Sequence, residues 1–262
     1  MLANITPVLL TFNEAPNLAR SLEALSWATE IVVVDSFSDD ATVDIARGNP
    51  RVRLVQRRFD SHARQWNFAV HETGIGTDWV LALDADYLVS DLLVEEIRAL
   101  APESRTQGYR TCIQYCVAGR PLRSSVYPPV TTLFRRAAGH YTQDGHTQRL
   151  EVEGEVATLK GLIRHDDRKS LSRWLASQAH YARLEAEKLD GAAAAGLSLP
   201  DRIRKLVVVA PPMMFLYSLF VRGTVLDGLP GLYYSLQRAT AELILSLHLL
   251  ERRLARVRGT RP

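Results

Sequence analysis

Before residue 105 the apolar positions fall in short runs, and a polar cluster follows most of them. Ile5–Thr11 (ITPVLLT), residues 31–34 (IVVV), Val52–Gln56 and residues 79–83 (WVLAL) read as strands, IVVV as a buried one. Between them, a stretch opening at Ala15-Pro16, one running to about Arg47 and one over residues 62–72 read as helices, proline suiting a first helical turn. Strands and helices alternating across short links predict a parallel sheet built from βαβ units. In such sheets ligands bind beyond the carboxyl ends of the strands. The clusters Thr11-Phe12-Asn13-Glu14, Asp35-Ser36-Phe37-Ser38-Asp39-Asp40 and Asp84-Ala85-Asp86 are therefore expected to line one cleft.

Beyond residue 105 the parallel winding stops. Strand-like pieces at 108–117, 130–134 and 150–159 alternate with loops rich in Pro, Gly and Arg. Residues 169–189 place Leu171, Trp174, Leu175, Tyr181, Leu184 and Leu189 mostly three or four apart, which predicts an amphipathic helix, and GAAAAG at 191–196 reads as a hinge. The expected organisation is a Rossmann-like α/β domain over residues 1–168 with a helical appendage over 169–262.

Composition narrows the class: 262 residues, 47% hydrophobic and 23% charged, exclude a disordered, collagenous or disulfide-stapled chain. Cys112 and Cys116 lie four apart in a strand-like stretch, on the order of 13 Å, and are expected to be reduced. The net charge of +3 hides an asymmetry, because residues 200–262 carry ten Lys/Arg against four Asp/Glu. Within that tail, residues 206–221 form an uncharged run of 16, short of the roughly 20 needed to span a bilayer and interrupted by Pro211-Pro212. An interfacial or re-entrant element on an anionic membrane surface is expected, with a buried core helix as the competing reading. Nucleic acid is disfavoured as a partner because aromatic residues do not interleave with the basic ones. No basic, apolar leader opens the chain, so the catalytic part is expected in the cytoplasm, peripheral at the inner face of the membrane.

Asp84-Ala85-Asp86, placed where an apolar strand ends, can present two carboxylates to a hard divalent cation that also takes phosphate oxygens. Alone, a D-x-D is a weak signal, and solvated turn aspartates explain it as well. The order T-x-N-E, then V-D-S-x-S-x-D, then D-x-D, each at a strand end, resembles the family 2 glycosyltransferases of the GT-A fold. The resemblance covers residues 5 to about 100 well. More loosely it extends to bacterial enzymes that add sugars to lipopolysaccharide core or related envelope glycans, through a Leu-Asp-Gly-x-x-Gly segment at 226–231.

The resemblance implies an inverting, metal-dependent transfer from a nucleotide-diphosphate sugar, with UDP-hexose the expected donor and an envelope glycan or lipid-linked acceptor. Thr11, Asn13 and Glu14 would line the nucleotide pocket, and Asp35 would receive the base. Asp84 would contact ribose or the metal, Mg²⁺ or Mn²⁺, and Asp86 would be the main metal ligand. Gln65 and Asn67 could approach the nucleotide from the third helix, and His62 and Arg64 could meet the diphosphate; backbone bonding and a solvated surface are the plain alternatives. Transfer also needs a base for the acceptor hydroxyl. Gln148 stands where similar enzymes carry a glutamate, so Asp144 is the candidate base with His146 as its orienter, although Asp144-Gly145 also suits a hairpin turn. His165 could complete the metal shell or hold the site, and Tyr127, Arg135 and Arg136 fall on the acceptor side. A non-catalytic binder of sugar-nucleotide or glycan, with the same fold, is the alternative that Gln148 favours.

Overall fold

A computed structural model describes residues 1–101, 105–144, 147–191 and 197–258. The chain divides into two compact units, Met1–Pro121 with Tyr127–Arg168, and Leu122–Val126 with Lys169–Pro262.

The first unit is built on a mixed sheet. β1 (Ile5–Thr11), β2 (Ile31–Asp35), β3 (Val52–Gln56) and β4 (Trp79–Asp84) lie parallel in the order β3-β2-β1-β4. Both faces of these strands are covered, so β1, β2 and β4 are almost wholly buried, as continuous Val, Ile and Leu runs require. Leu9, Val33, Leu81 and Leu83 turn to one core and Val8, Val32, Val34 and Val80 to the other, the alternation a two-sided sheet imposes. α1 (Leu18–Ala24), α2 (Thr42–Arg47) and α3 (His62–His71) make the connections. Trp66, Ala69 and Val70 of α3 join the second core.

The sheet continues through β8 (Val130–Arg135), β6 (Thr106–Val117), β11 (Glu155–His165) and β5 (Tyr87–Val89), with β7 (Arg120–Pro121) paired to β6. β8 runs antiparallel to β4, so parallel winding ends there. β9 (Gly139–Asp144) and β10 (Thr147–Val152) form a separate hairpin. The strand expected over 150–159 is thus two, parted at Gly154, whose φ of 122° favours glycine. α4 (Asp91–Ala99) packs on β11 at Gly161, where a Cβ would meet the Leu93 backbone, and Glu96 accepts from the Lys160 and Gly161 amides at the irregularity of β11.

The second unit is helical: α5 (Leu171–Gly191), α6 (Leu199–Lys205), α7 (Ala210–Leu216) and α8 (Leu229–Val257). Ala182, Ala186, Leu189, Val207, Leu245 and Leu249 form its core, and Arg204 grips the buried Glu242 carboxylate with Nε and Nη2. Pro211 and Pro212 do not break a helix at mid-length; they stand in the first turn of α7, where missing amide hydrogens cost nothing. Among the described residues no helix is long and apolar enough to cross a membrane. Residues 192–196 of the expected hinge lie outside those described.

Candidate active site

The four parallel strands end in register on polar side chains. Thr11 of β1 lies opposite Asp35 of β2, Asp35 opposite Gln56 of β3, and Leu10 opposite Asp84 of β4. This is the edge on which the sequence motifs were expected to converge.

Asp35 is turned inward. Its carboxylate has no exposed surface and accepts from Thr11 Oγ1 at 3.0 Å, Ser38 N at 2.9 Å, Gln56 Nε2 at 3.3 Å and Ser38 Oγ. The expectation that it receives the base therefore meets a group already committed to its own loop. Asn13, at φ 57°, receives the same loop: Asp39 N donates to its Oδ1 at 2.9 Å and its own amide donates to Ser38 Oγ at 2.8 Å. The Glu14 amide donates to Thr42 Oγ1, and its Oε2 accepts from Asn17 Nδ2 at 2.9 Å. Thr11 is buried beneath them. What stands outward is aromatic, Phe12 at 56% and Phe37 at 52% exposure, with the Arg58 guanidinium over the Phe37 ring. Phe37 has φ 61°, a strained conformation for a bulky residue, held by the four bonds to Asp35 behind it.

Gln65 and Asn67 are likewise used by the chain itself. Gln65 is fully buried, its Oε1 accepting from Arg57 and its Nε2 donating to Ser36 Oγ at 3.1 Å. Asn67 exchanges a pair of bonds with the Tyr141 backbone, accepting from N at 2.9 Å and donating to O at 2.8 Å, and so fastens α3 to β9. Arg64 is exposed beside Asp60, and His62 meets the Phe59 ring edge-on at 4.9 Å.

The two aspartates of the D-x-D differ. Asp84 is exposed at the end of β4, whereas Asp86 is 8% exposed. The turn between them is clamped at its backbone: Ser21 Oγ donates to Ala85 O at 2.6 Å, and the Asp166 amide donates to Asp86 O at 3.0 Å. His165 bonds Asp86 Oδ2 at 3.1 Å through Nε2, which must carry the hydrogen because a carboxylate only accepts. β5 and β11 bring this about, pairing His165 with Tyr87, while β6 sets Tyr115 against it. Tyr87, Tyr115 and Tyr127 surround the imidazole with ring centroids 5.3, 4.8 and 5.7 Å away. Burial alone would lower the His165 pKa, but the charge and hydrogen bond of Asp86, with Asp84 and Asp167 beyond, turn the net shift upward. Burial first, then Asp84 and Asp86, push the Tyr87 phenol well above its usual range, and its hydroxyl bonds Asp84.

Behind His165 lies a network with no motif to announce it. Asp166, 4% exposed, receives Arg20 at 2.7 Å and Arg168 at 2.8 Å, and Asn17 joins Glu14, Asp167 and the Arg168 amide. Burial would raise the Asp166 pKa, but Arg168 and Arg20 hold it below the ordinary carboxylate value. Cys112 and Cys116 are free thiols, and burial together with Asp166 pushes Cys116 up to about 11. Arg135 covers the Trp79 ring at 4.8 Å.

Asp144 stands exposed at the end of β9, facing Thr147 across the hairpin, while Gln148 pairs with Gln143. Gln143 Oε1 accepts from the Ala63 amide in the first turn of α3. His146 lies outside the described residues.

Among the described residues, no three His, Cys, Asp or Glu side chains gather to hold a metal by themselves. The donor set suits a different kind of site, in which Mg²⁺ or Mn²⁺ takes one or two carboxylates and fills its shell with phosphate and water.

Known proteins give this arrangement a family. A Rhizobium meliloti lipopolysaccharide core biosynthesis glycosyltransferase, LpsC, is 26% identical over 97% of this chain and 94% of its own. A Rickettsia bellii protein described as an uncharacterized glycosyltransferase is 26% identical over 71% of this chain and 67% of its own. The crystal structure of Staphylococcus aureus TarS 1–349 with UDP-GlcNAc shares the fold at a TM-score of 0.50 and 15% identity, covering 98% of this chain and 92% of that one. The profile described as glycosyl transferase family 2 matches residues 7–170, the stretch that holds every strand-end cluster above, and the chain belongs to that family.

Proposed function

We propose that this glycosyltransferase moves a hexose from a UDP-sugar to an envelope glycan or lipid-linked acceptor, with inversion and with a divalent metal at Asp84 and Asp86. The observation that carries the reading is the clamped D-x-D turn at the carboxyl edge of four parallel strands, the edge that also bears the exposed rings of Phe12 and Phe37. The TarS structure, of the same fold, holds UDP-GlcNAc, and the LpsC relative bears on the acceptor class.

In this reading Phe12 and Phe37 offer rings to the base, and Thr11, Asn13, Asp35 and Gln65 shape the loops that carry them. A bound Mg²⁺ or Mn²⁺ would offset the charge that develops on the departing diphosphate. Asp86 supplies the better-oriented carboxylate because His165 fixes one of its oxygens. Asp84 supplies the exposed one, steered by Tyr87. Asp144, exposed at the end of β9, takes the acceptor proton as the hydroxyl attacks the anomeric carbon.

The acceptor's membrane would be met by the second unit. Val208, Val209, Met213, Leu216, Phe220 and Val221 form an exposed apolar surface around α7, with Arg202 and Arg222 nearby in sequence. Such a surface suits the headgroup layer of an anionic bilayer, with the enzyme peripheral at its cytoplasmic face. The testing experiment is a panel of nucleotide sugars with lipid-linked envelope acceptors, with and without Mn²⁺ or Mg²⁺. Metal-dependent transfer from a UDP-hexose is expected. Donor binding without transfer to any acceptor, despite metal, would favour a non-catalytic binder, the reading to which Gln148 points.

A further inference from the structure

α8 has two apolar faces. One, with Tyr234, Leu245 and Leu249, is buried in the second unit. The other is exposed and repeats every seven residues: Leu229, Leu236, Leu243, Leu250 and Val257. Four residues after the first, third and fourth of these stand Tyr233, Leu247 and Leu254, also exposed, with the half-buried Thr240 in the remaining place.

Alternating steps of four and three are the a/d pattern of a coiled coil, a mean repeat of about 3.5 residues that keeps one seam against a facing helix. We propose that this seam binds the same seam of a second copy of the chain, as an antiparallel pair of α8 helices about a two-fold axis between Leu243 and Leu247, so that each row of the seam faces the other row of the partner.

The repeat itself speaks for a helix as occupant. A lipid surface makes no demand for a seven-residue period and accepts a wide apolar face, whereas this seam, joined by the exposed Leu232 in its first turns, narrows beyond Leu236 and is edged there by the exposed Glu251 and Arg253. The area fits as well: the eight apolar side chains expose on the order of 800 Å², what one partner brings to a standard interface and more than the patches usual on monomers. Every residue of the seam lies on one helix, so the surface is self-complementary, as a two-fold contact requires.

Charge sets the direction. A parallel pair would bring Arg253, Arg256 and Arg258 of both copies together and align the two helix dipoles. Antiparallel packing keeps the two basic ends at opposite ends of the pair and opposes the dipoles. That axis lies close to the middle of the 29-residue helix, so an antiparallel pair overlaps along most of its length, about 35 Å.

The test is the mass of the full chain by light scattering over a concentration series in detergent-free buffer, for the wild type and for L243E/L250E. A wild-type dimer is expected, with its dissociation constant raised by roughly 100-fold or more in the variant at unchanged helicity. L216E/F220E, on the other apolar surface, should remain dimeric. Because the double variant could lose structure, Leu243→Cys mixed with Leu247→Cys provides a second measurement: oxidation should join two copies across these positions, located by peptide mass and more fully than in either variant alone, and Val257→Cys should not join to itself. A wild type that is monomeric throughout overturns the proposal, as does a dimer that survives L243E/L250E in folded form. Self-joining at Val257 and no joining between Leu243 and Leu247 overturns the antiparallel pairing. A monomeric chain in which L243E/L250E lowers cosedimentation with phosphatidylglycerol vesicles assigns the seam to lipid instead.

Discussion

His165 and Asp86 are 79 residues apart in sequence and joined by a 3.1 Å hydrogen bond, Nε2 to Oδ2, inside a cage of three tyrosines. The bond orients the Asp86 carboxylate, and the proposed metal site makes His165 a positioning residue. Replacing it by phenylalanine, which keeps the ring and its packing, should raise the Mn²⁺ concentration for half-maximal transfer by ~10–100-fold, the usual cost of losing a partner behind a metal ligand. Metal titrations of activity check this. An unchanged midpoint in a folded variant removes the role.

Asp144→Asn should lower kcat by roughly 100-fold or more and leave the Kd for UDP-sugar within about twofold, because the base acts in the transition state and not on the donor. Single-turnover rates beside donor titrations separate the two. An equal loss in both would place Asp144 in donor binding.

Asp60 is held at about 2, first by its hydrogen bond from Arg57 and further by the Ser61 amide. A carboxylate whose folded pKa lies below its unfolded value stabilises the fold above about pH 4, and that contribution fades as the pH falls toward 2. Asp60→Asn should therefore lower the urea midpoint at pH 7, by a small amount because the pair is partly exposed. The gap from wild type should narrow between pH 4 and 2. A gap independent of pH would contradict the assignment.

L216E/F220E should reduce cosedimentation with anionic vesicles, and 0.5 M salt, a probe of roughly this strength, should weaken wild-type binding by screening the flanking arginines. Point substitutions are the proper test, since cutting the chain at about residue 196 would strip α5 of Leu245 and Leu249, with which it forms a core. Vesicle binding unchanged by both substitutions would leave the surface around α7 without a lipid role.

β1, β2 and β4 were legible because each is a short apolar run ending in polar residues, and the D-x-D and its neighbours follow from that punctuation; β3 (VRLVQ), half-buried, was legible from the alternation of strands and helices around it. β5 was not, since three residues carry no period and its partner β11 is remote in sequence. The same distance hid the bond between His165 and Asp86 and the clamp of Arg20, Asp166 and Arg168. Asp35, Gln65 and Asn67 show another limit: residue type announces a polar side chain at the edge, but only the fold shows that each is occupied by the chain's own backbone and loops. Asp86 reads in sequence as a surface carboxylate, yet it is buried, so Asp86→Ala would cost about 1–3 kcal/mol by leaving His165 without its acceptor. Asparagine keeps that acceptor and is the better probe.

Calorimetric titration of a UDP-hexose into the wild type and into Asp86→Asn, each with Mn²⁺ and with chelator, tests the metal-assisted donor site most directly. The predicted result is wild-type binding that needs Mn²⁺ and weakens by ~100-fold or more in folded Asp86→Asn. Equal binding in chelator, or full affinity in the variant, would contradict it.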